Sequence, residues 1–286
     1  MQTLFKLGLV GYPLGHSLSP KIHHAALKSC GLDGDYSLFP IELDDKQGLR
    51  DLLARVRSGE ITGLNVTIPH KQNVIGLVDE LMPTAQAIGA VNTIYMREKK
   101  LIGDNSDAAG FMSDLRRELT TAICADDKTQ RHRDSKAVVL GAGGSARAVV
   151  YGLVNEGWEV TVAARRTEQA AQLATSFPNH QLRISNIESL TPELSNFQLI
   201  VNTTPVGMFP HIDQSPLPEN ASFSKETMIY DLVYNPRVTK LVGDARAHGL
   251  TATTGLGMLI EQAVLAFELW TGHSPRRDVL WNAVDN

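Results

Sequence analysis

The sequence predicts an α/β protein of two domains, each a sheet covered by helices, and three observations carry that prediction. The chain has 286 residues, more than one ordinary domain and enough to bury two cores. Residues 4 to 66 alternate strand, helix, strand, helix, strand, the order that builds a parallel sheet with helices over it. Strand, glycine-rich turn and helix signals then recur from Lys136 to about Gly255, after a break in composition.

Residues 4 to 10 are an apolar run that ends at Gly11 and Pro13, as a buried strand does. Ser19-Pro20 then reads as an N-cap with proline at the first helical position, opening a helix that stops near Gly31. Leu49, Leu52, Leu53 and Val56 recur at helical spacing after Asp44, and Ser58-Gly59 ends that helix before the strand-like Ile61 to Val66. Thr93 to Met96 and Leu101-Ile102, separated by the charged Arg97 to Lys100, read as a hairpin. Asp107 to Leu119 reads as a connecting helix, which places the domain boundary near Ser106. Residues 122 to 135 hold Asp126, Asp127, Lys128, Arg131, His132, Arg133 and Asp134, the pattern of a solvated loop.

Hydrophobic residues make up 43% and charged residues 20% of the chain, the balance of an ordinary globular protein. The net charge of -4, from 27 basic and 31 acidic side chains, leaves no footprint for nucleic acid or an anionic membrane, so small molecules are the expected partners. Cys30 and Cys124 are too few for a disulfide framework and lack metal-ligand spacing. The opening residues lack the basic stretch and apolar core of a signal peptide. The apolar helical stretch around 258 to 270 is interrupted by Glu261 and Glu268 and is too short for a bilayer. A cytoplasmic protein with no membrane segment is expected.

Ala137 to Leu140 reads as a buried strand, and Gly141, Ala142, Gly143, Gly144, Ser145 and Ala146 follow it, opening a helix through Arg147, Val150, Leu153 and Val154. This is the Gly-x-Gly-x-x-Ala form of a dinucleotide fingerprint: its glycines allow a tight turn and bring backbone N–H groups close to a pyrophosphate at a helix N-terminus. After the next strand, Glu159 to Ala163, an NAD enzyme offers a carboxylate to the ribose hydroxyls; here stand Ala164, Arg165 and Arg166. Two guanidinium groups suit a 2′-phosphate, which points to NADP. The plainer reading of both arginines is a solvated surface.

A second constellation lies in the first half. Asn65 and Thr67 follow a strand and point to one side of it, and Lys71 stands just past the turn at Pro69. Gly103 to Asp107 follows another strand, so its carboxylate can face the same crevice as Lys71. Dehydrogenation of an alcohol removes a proton from oxygen as hydride leaves carbon, and a lysine held by an aspartate can transfer that proton. No zinc-type cluster of cysteine and histidine is present, so a metal-free mechanism is expected. Taken singly, Lys71 also reads as a surface charge, Asp107 as a cap for residues 108 to 119, and Ser19 as the cap before Pro20.

Taken together, Gly11 to Pro20, Asn65 to Lys71, Gly89 to Asn92, Gly103 to Asp107, Gly141 to Arg147, Asn202 to Met208, Tyr230 to Tyr234 and Gly255 to Gln262 resemble the shikimate dehydrogenase family. The matches run in order over nearly the whole chain. The resemblance implies an N-terminal α/β substrate domain and a Rossmann-like NADP-binding domain, with C-terminal helices returning to the first. Residues 1–106 completed by 255–286, and residues 107–254, are the implied domains. The implied activity is reversible, NADP-dependent reduction of 3-dehydroshikimate to shikimate, in the pathway to aromatic amino acids.

By that similarity Ser17 and Ser19 bind the substrate carboxylate, with Thr67 and Tyr234 close by. Asn65, Lys71, Asn92, Asp107 and Gln262 surround the ring hydroxyls, and Lys71 is the principal acid and base, oriented by Asp107. Thr203, Thr204, Leu232, Gly255 and Met258 line the cofactor, the last near the nicotinamide; Met258 and Tyr234 also read as ordinary core residues. His16 and His70 are expected to be structural hydrogen-bonders. Two features depart from the family pattern. Ala164 and Gln169 stand where NADP-using members commonly carry Asn and a basic residue, leaving Arg166 to compensate, and Ser106 replaces a common Thr while keeping the hydroxyl. The same fold also serves quinate or dual quinate/shikimate dehydrogenases, some with NAD, and a non-catalytic NADP(H) or metabolite sensor, which intact Lys71 and Asp107 oppose. The family includes monomers and homodimers.

Overall fold

The computed structural model describes residues 4–122 and 135–285. Cys124 and the charged run from Asp126 to Asp134 lie outside the described residues. The chain divides into two compact units, Met1–Gly110 with Leu259–Asn286, and Phe111–Met258.

The first unit opens with β1 (Phe5–Gly11), α1 (Ser19–Ser29), β2 (Gly34–Pro40), α2 (Lys46–Arg57) and β3 (Gly63–Val66). The start of α1 corrects the expected cap. Ser19 is already helical, Leu18 occupies the cap position without a side-chain bond, and Ser17 Oγ accepts from Ser19 N at 3.2 Å. The helix has already begun at Ser19, whose preceding residue Leu18 accepts from Ile22 N at 3.1 Å through its carbonyl. In α2, Asp45 caps by accepting from Gly48 N at 2.8 Å, and Leu49, Leu52, Leu53 and Val56 form its buried face.

The unit continues through β4 (Glu80–Leu81), α3 (Pro83–Ile88), β5 (Thr93–Arg97) and β6 (Lys100–Asp104) to α4 (Asp107–Ala122). The strands β5 and β6 are the expected hairpin, closed by Glu98 and Lys99 at φ 49° and 65°, the left-handed pair that a two-residue type I′ turn requires. The sheet order is β2-β1-β3-β5-β6-β4. Its first three strands are parallel, as the alternation predicts; the hairpin adds antiparallel partners, so the whole sheet is mixed.

The second unit alternates β7 (Lys136–Leu140), α5 (Gly144–Asn155), β8 (Glu159–Ala163), α6 (Thr167–Ala174), β9 (Arg183–Ser185), α7 (Ile187–Leu190), β10 (Leu199–Asn202), β11 (Met228–Asp231), α8 (Lys240–Ala247) and β12 (Thr251–Thr254). All six strands are parallel in the order β9-β8-β7-β10-β11-β12, the doubly wound arrangement that reverses direction between β7 and β10. Val139, Val149, Leu153, Leu199 and Tyr230 pack on one face, and Val138, Leu140, Leu194, Ile200 and Leu241 on the other. Sheets buried on both faces read as the continuous apolar runs found here.

The chain then enters α9 (Leu256–Thr271) and ends in α10 (Arg277–Asp285). Both belong mainly to the first unit, as expected of helices that return to it. Trp270 of α9 donates its indole N–H to Ile94 O at 3.2 Å and lies over Gly63, where any Cβ would meet the ring at 2.3 Å. The helix α10 packs on α1 and is tied to α9 by Arg277 Nε, 2.8 and 3.0 Å from the two carboxylate oxygens of Glu261. Among the described residues, no helix is long and apolar enough to cross a membrane.

Candidate active site

The segment after β3 carries three of the expected residues, and backbone bonds fix it on both sides. Thr67 N donates to Val10 O at 2.9 Å, His70 N to Thr67 O at 2.9 Å, and Val91 N to Lys71 O at 2.7 Å. His70 is buried with Nε2 2.8 Å from Ile41 O, a structural role that anchors the residue before Lys71. Lys71 Nζ therefore has a defined origin, and it lies 2.6 Å from Asp107 Oδ2.

Asp107 is the first residue of α4, yet Asn105 Oδ1 accepts its N–H at 3.0 Å. Both carboxylate oxygens meet side chains: Oδ2 faces Lys71 and Oδ1 accepts from Asn92 Nδ2 at 2.8 Å. The pair is largely buried, with side chains 12% and 6% exposed, so water screens its attraction far less than at a surface.

Asn92 is delivered by Gly89, which ends α3 at φ 68°, a left-handed position that suits glycine. Its Nδ2 also donates to Ser106 Oγ at 3.0 Å and Gln262 Oε1 at 3.4 Å. Its Oδ1 accepts from Ser106 N at 2.8 Å and Thr93 Oγ1 at 2.9 Å. The amide is thus committed within the protein and acts on Asp107, Ser106 and Gln262 as a positioning group. Gln262 comes this close because Gly110 has no side chain: a Cβ there would meet Gln262 N at 2.7 Å.

Ser17, Ser19 and Thr67 carry the expected hydroxyls, and Thr67 lies against Gly11, where a Cβ would meet Thr67 Cγ2 at 2.3 Å. Among the described residues, none of the three hydroxyls donates a hydrogen bond to the protein. Three unspent donors suit an anionic oxygen. Asn65 is buried on β3. The first unit carries Ser17, Ser19, Asn65, Thr67, Lys71, Asn92, Asp107 and Gln262, and hydrogen bonds join Asn65, Lys71, Asn92, Asp107 and Gln262. Tyr234 is instead carried by the second unit, half-buried in the segment after β11.

In the second unit the glycine-rich turn joins β7 to α5. Gly141 has φ 110°, and a Cβ there would meet Thr203 Oγ1 at 2.6 Å, so the turn can only be this tight with glycine. Thr203 Oγ1 donates to Leu140 O at 2.7 Å, and Thr204 Oγ1 to Asn202 Oδ1 at 2.7 Å. Gly143 caps α5 without a side-chain bond, and a Cβ on it would meet nothing within 4 Å. A helix N-terminus with open space at Gly143 fits a pyrophosphate approached through Ala142, Gly143, Gly144, Ser145 and Ala146.

Arg165 and Arg166 are exposed just past β8, where the ribose of a dinucleotide lies in this fold, and neither enters an ion pair among the described residues. They fit a 2′-phosphate. Leu232 and Gly255 lie against each other: a Cβ on Gly255 would meet Leu232 O at 2.3 Å. Met258 is 6% exposed and packs in the core with Phe111 and Tyr230. No group of three or more metal-ligating side chains occurs among the described residues.

Sequence reasoning did not single out Tyr36, Thr93, Asn105, Asp114, Asn202 or Asp231. Of these, Asp231 is the clearest loop organiser: it accepts from Asn202 Nδ2 at 2.8 Å, Val233 N at 3.0 Å and Thr239 Oγ1 at 2.7 Å. Burial pushes its carboxyl up to about 6, and these bonds offset part of that rise. It ties the end of β10, where Thr203 and Thr204 begin, to the segment holding Leu232 and Tyr234.

Family models match most of the chain. Residues 9–94 match the shikimate dehydrogenase substrate binding domain, 124–247 shikimate / quinate 5-dehydrogenase, and 255–284 the shikimate 5'-dehydrogenase C-terminal domain. A shikimate dehydrogenase (NADP(+)) of Bacillus licheniformis is 37% identical over 97% of this chain and 95% of its own. The structure of shikimate 5-dehydrogenase from Thermus thermophilus, in complex with NADP(H) and shikimate, is 37% identical with a TM-score of 0.84 over 98% of each chain. Quinate dehydrogenase from Corynebacterium glutamicum, in complex with NAD, is 30% identical with a TM-score of 0.86 over 99% of each. This chain belongs to the shikimate dehydrogenase family.

Proposed function

We propose that this protein is an NADP-dependent shikimate dehydrogenase that reduces 3-dehydroshikimate to shikimate and catalyses the reverse. The observation that carries the reading is the buried Lys71–Asp107 pair at 2.6 Å, braced by Asn92. The NADP(H) and shikimate of the Thermus thermophilus relative support the choice of substrate and cofactor.

Bound NADPH supplies the hydride for the carbonyl carbon. Lys71 Nζ gives a proton to the carbonyl oxygen in reduction and takes it from the hydroxyl in oxidation. Asp107 orients Nζ, and Asn92 holds Asp107. Ser17, Ser19 and Thr67 offer hydroxyl donors to the substrate carboxylate, while Asn65 and Gln262 hold ring hydroxyls. Backbone N–H groups of Gly141 to Ala146 hold the pyrophosphate and Arg165 and Arg166 the 2′-phosphate; Thr203, Thr204, Leu232, Gly255 and Met258 line the cofactor. The reading carries small molecules as partners and the cytoplasm as location.

Initial-rate kinetics over the four combinations of shikimate or quinate with NADP or NAD test it. The highest kcat/KM is expected for shikimate with NADP. Preference for quinate would make the protein a quinate dehydrogenase, and binding of both ligands without turnover would make it a sensor.

A further inference from the structure

In strand β2 Tyr36 is the one buried residue, 3% exposed. In the parallel register Tyr36 lies beside Leu7, Leu7 beside Gly63, and Leu9 beside Asn65, so positions 36, 7, 9, 63 and 65 share one face of the sheet. Trp270 covers Gly63 on that face. His23 of α1 stacks on Tyr36 with centroids 4.4 Å apart and planes 5° from parallel, and Phe267 and Trp270 flank His23 at 6.2 and 5.3 Å. The phenol ring is therefore wedged in a dry aromatic pocket and reaches across β1, where its hydroxyl donates to Asn65 Oδ1 at 2.8 Å.

The donor and acceptor logic around Asn65 has one solution. The carbonyl of Asn92, 3.2 Å away, can only accept, so Nδ2 of Asn65 must face it and Oδ1 must face Tyr36. The phenol then has to be the donor. One N–H of Asn65 remains after the bond to Asn92.

We propose that Tyr36 is a positioning residue for substrate recognition: its buried hydroxyl locks the Asn65 amide so that the remaining N–H meets a ring oxygen of the substrate as a donor. The inference rests on the reading that Asn65 lies against the substrate. His23 holds the Tyr36 ring by packing. It stays neutral, because burial drives its imidazole down to about 3 and outweighs the opposing pull of the nearby Asn65 side chain.

The test is a double-mutant cycle on the full-length enzyme with Tyr36→Phe, Asn65→Ala and their combination, and with Asn65→Ser beside Asn65→Ala as a smaller truncation. KM for each substrate, kcat and thermal unfolding are measured for every variant. Tyr36→Phe is expected to raise KM for shikimate about three- to tenfold, the scale of one net hydrogen bond, with KM for NADP and kcat changed less than twofold. Added to either Asn65 variant, it should cost less than a further twofold, because the group through which it acts is gone. Full penalties that multiply in the double variants, or a Tyr36→Phe effect shared equally by both KM values alongside a lowered Tm, would overturn the role of Tyr36. An unchanged KM for shikimate in both Asn65 variants would instead remove Asn65 from the substrate site, and the inference with it. The two failures are told apart by the Asn65 single variants.

Discussion

Tyr230 donates its phenolic hydrogen to Asp114 Oδ2 at 2.5 Å in the core of the second unit, with both residues at most 1% exposed. Burial first, and then the neighbouring Asp114 carboxylate, hold the phenol well above its ordinary range, so it remains a donor. Arg117 pairs with the other oxygen, Oδ1. Gly257 in the first turn of α9 lies directly against that carboxylate: a Cβ there would meet Oδ1 at 2.0 Å. The Tyr230–Asp114 bond thus joins β11, α4 and the start of α9, where Gly255 and Met258 stand.

Tyr230→Phe is expected to cost about 1–3 kcal/mol, because it takes one partner from a buried carboxylate. Urea unfolding reads that loss. KM for NADP should rise more than KM for shikimate, since the start of α9 is assigned to the cofactor. Unchanged stability together with an unchanged KM for NADP would count against the bond as an anchor.

Asp231 predicts a pH effect of definite sign. Its carboxyl is raised by burial from 3.8 to about 6, so the native state keeps a proton that the unfolded chain releases. The resulting stabilisation is full below the unfolded value and is lost as pH rises through about 6. Asp231→Asn keeps an acceptor for Asn202 and Val233 and offers a donor to Thr239, but cannot titrate. Relative to the parent, the variant should gain on the order of 2–3 kcal/mol between pH 4 and pH 7 in denaturant unfolding. Parallel pH profiles would show that Asp231 does not carry the effect.

Arg165 and Arg166 should discriminate between cofactors. Replacing both with alanine is expected to weaken NADP binding at least tenfold, through loss of charge-assisted bonds to the 2′-phosphate, and to leave NAD binding nearly unchanged. Fluorescence titration of both cofactors measures this. An equal loss for both would mean that the arginines support the fold instead.

Much of this was legible wherever a local pattern reports a local cause. The spacing of Leu49, Leu52, Leu53 and Val56 gives the buried face of α2, and the glycines at 141 and 143 give the tight, open turn before α5. Lys71 and Asp107 could each be placed after a strand, but not the bonds from Lys71 and Asn92 that hold the two Asp107 carboxylate oxygens. The cap falls on Leu18 and not on Ser19, because the helix starts one residue earlier and the Leu18 carbonyl accepts from Ile22 N. Tyr36 left no short-range signal, because its partner is fixed by the order β2-β1-β3. Asp114 did leave one: a carboxylate between Phe111 and Leu115 on the apolar face of α4 needs a buried partner.

Proton transfer by Lys71 is tested most directly by kcat of Lys71→Ala at saturating shikimate and NADP, with folding checked by thermal unfolding. The expected result is a fall of roughly a hundredfold or more with a much smaller change in either KM, because the 2.6 Å pair with Asp107 serves the chemical step more than binding. A near-normal kcat in the folded variant would contradict the assignment of Lys71 as acid and base.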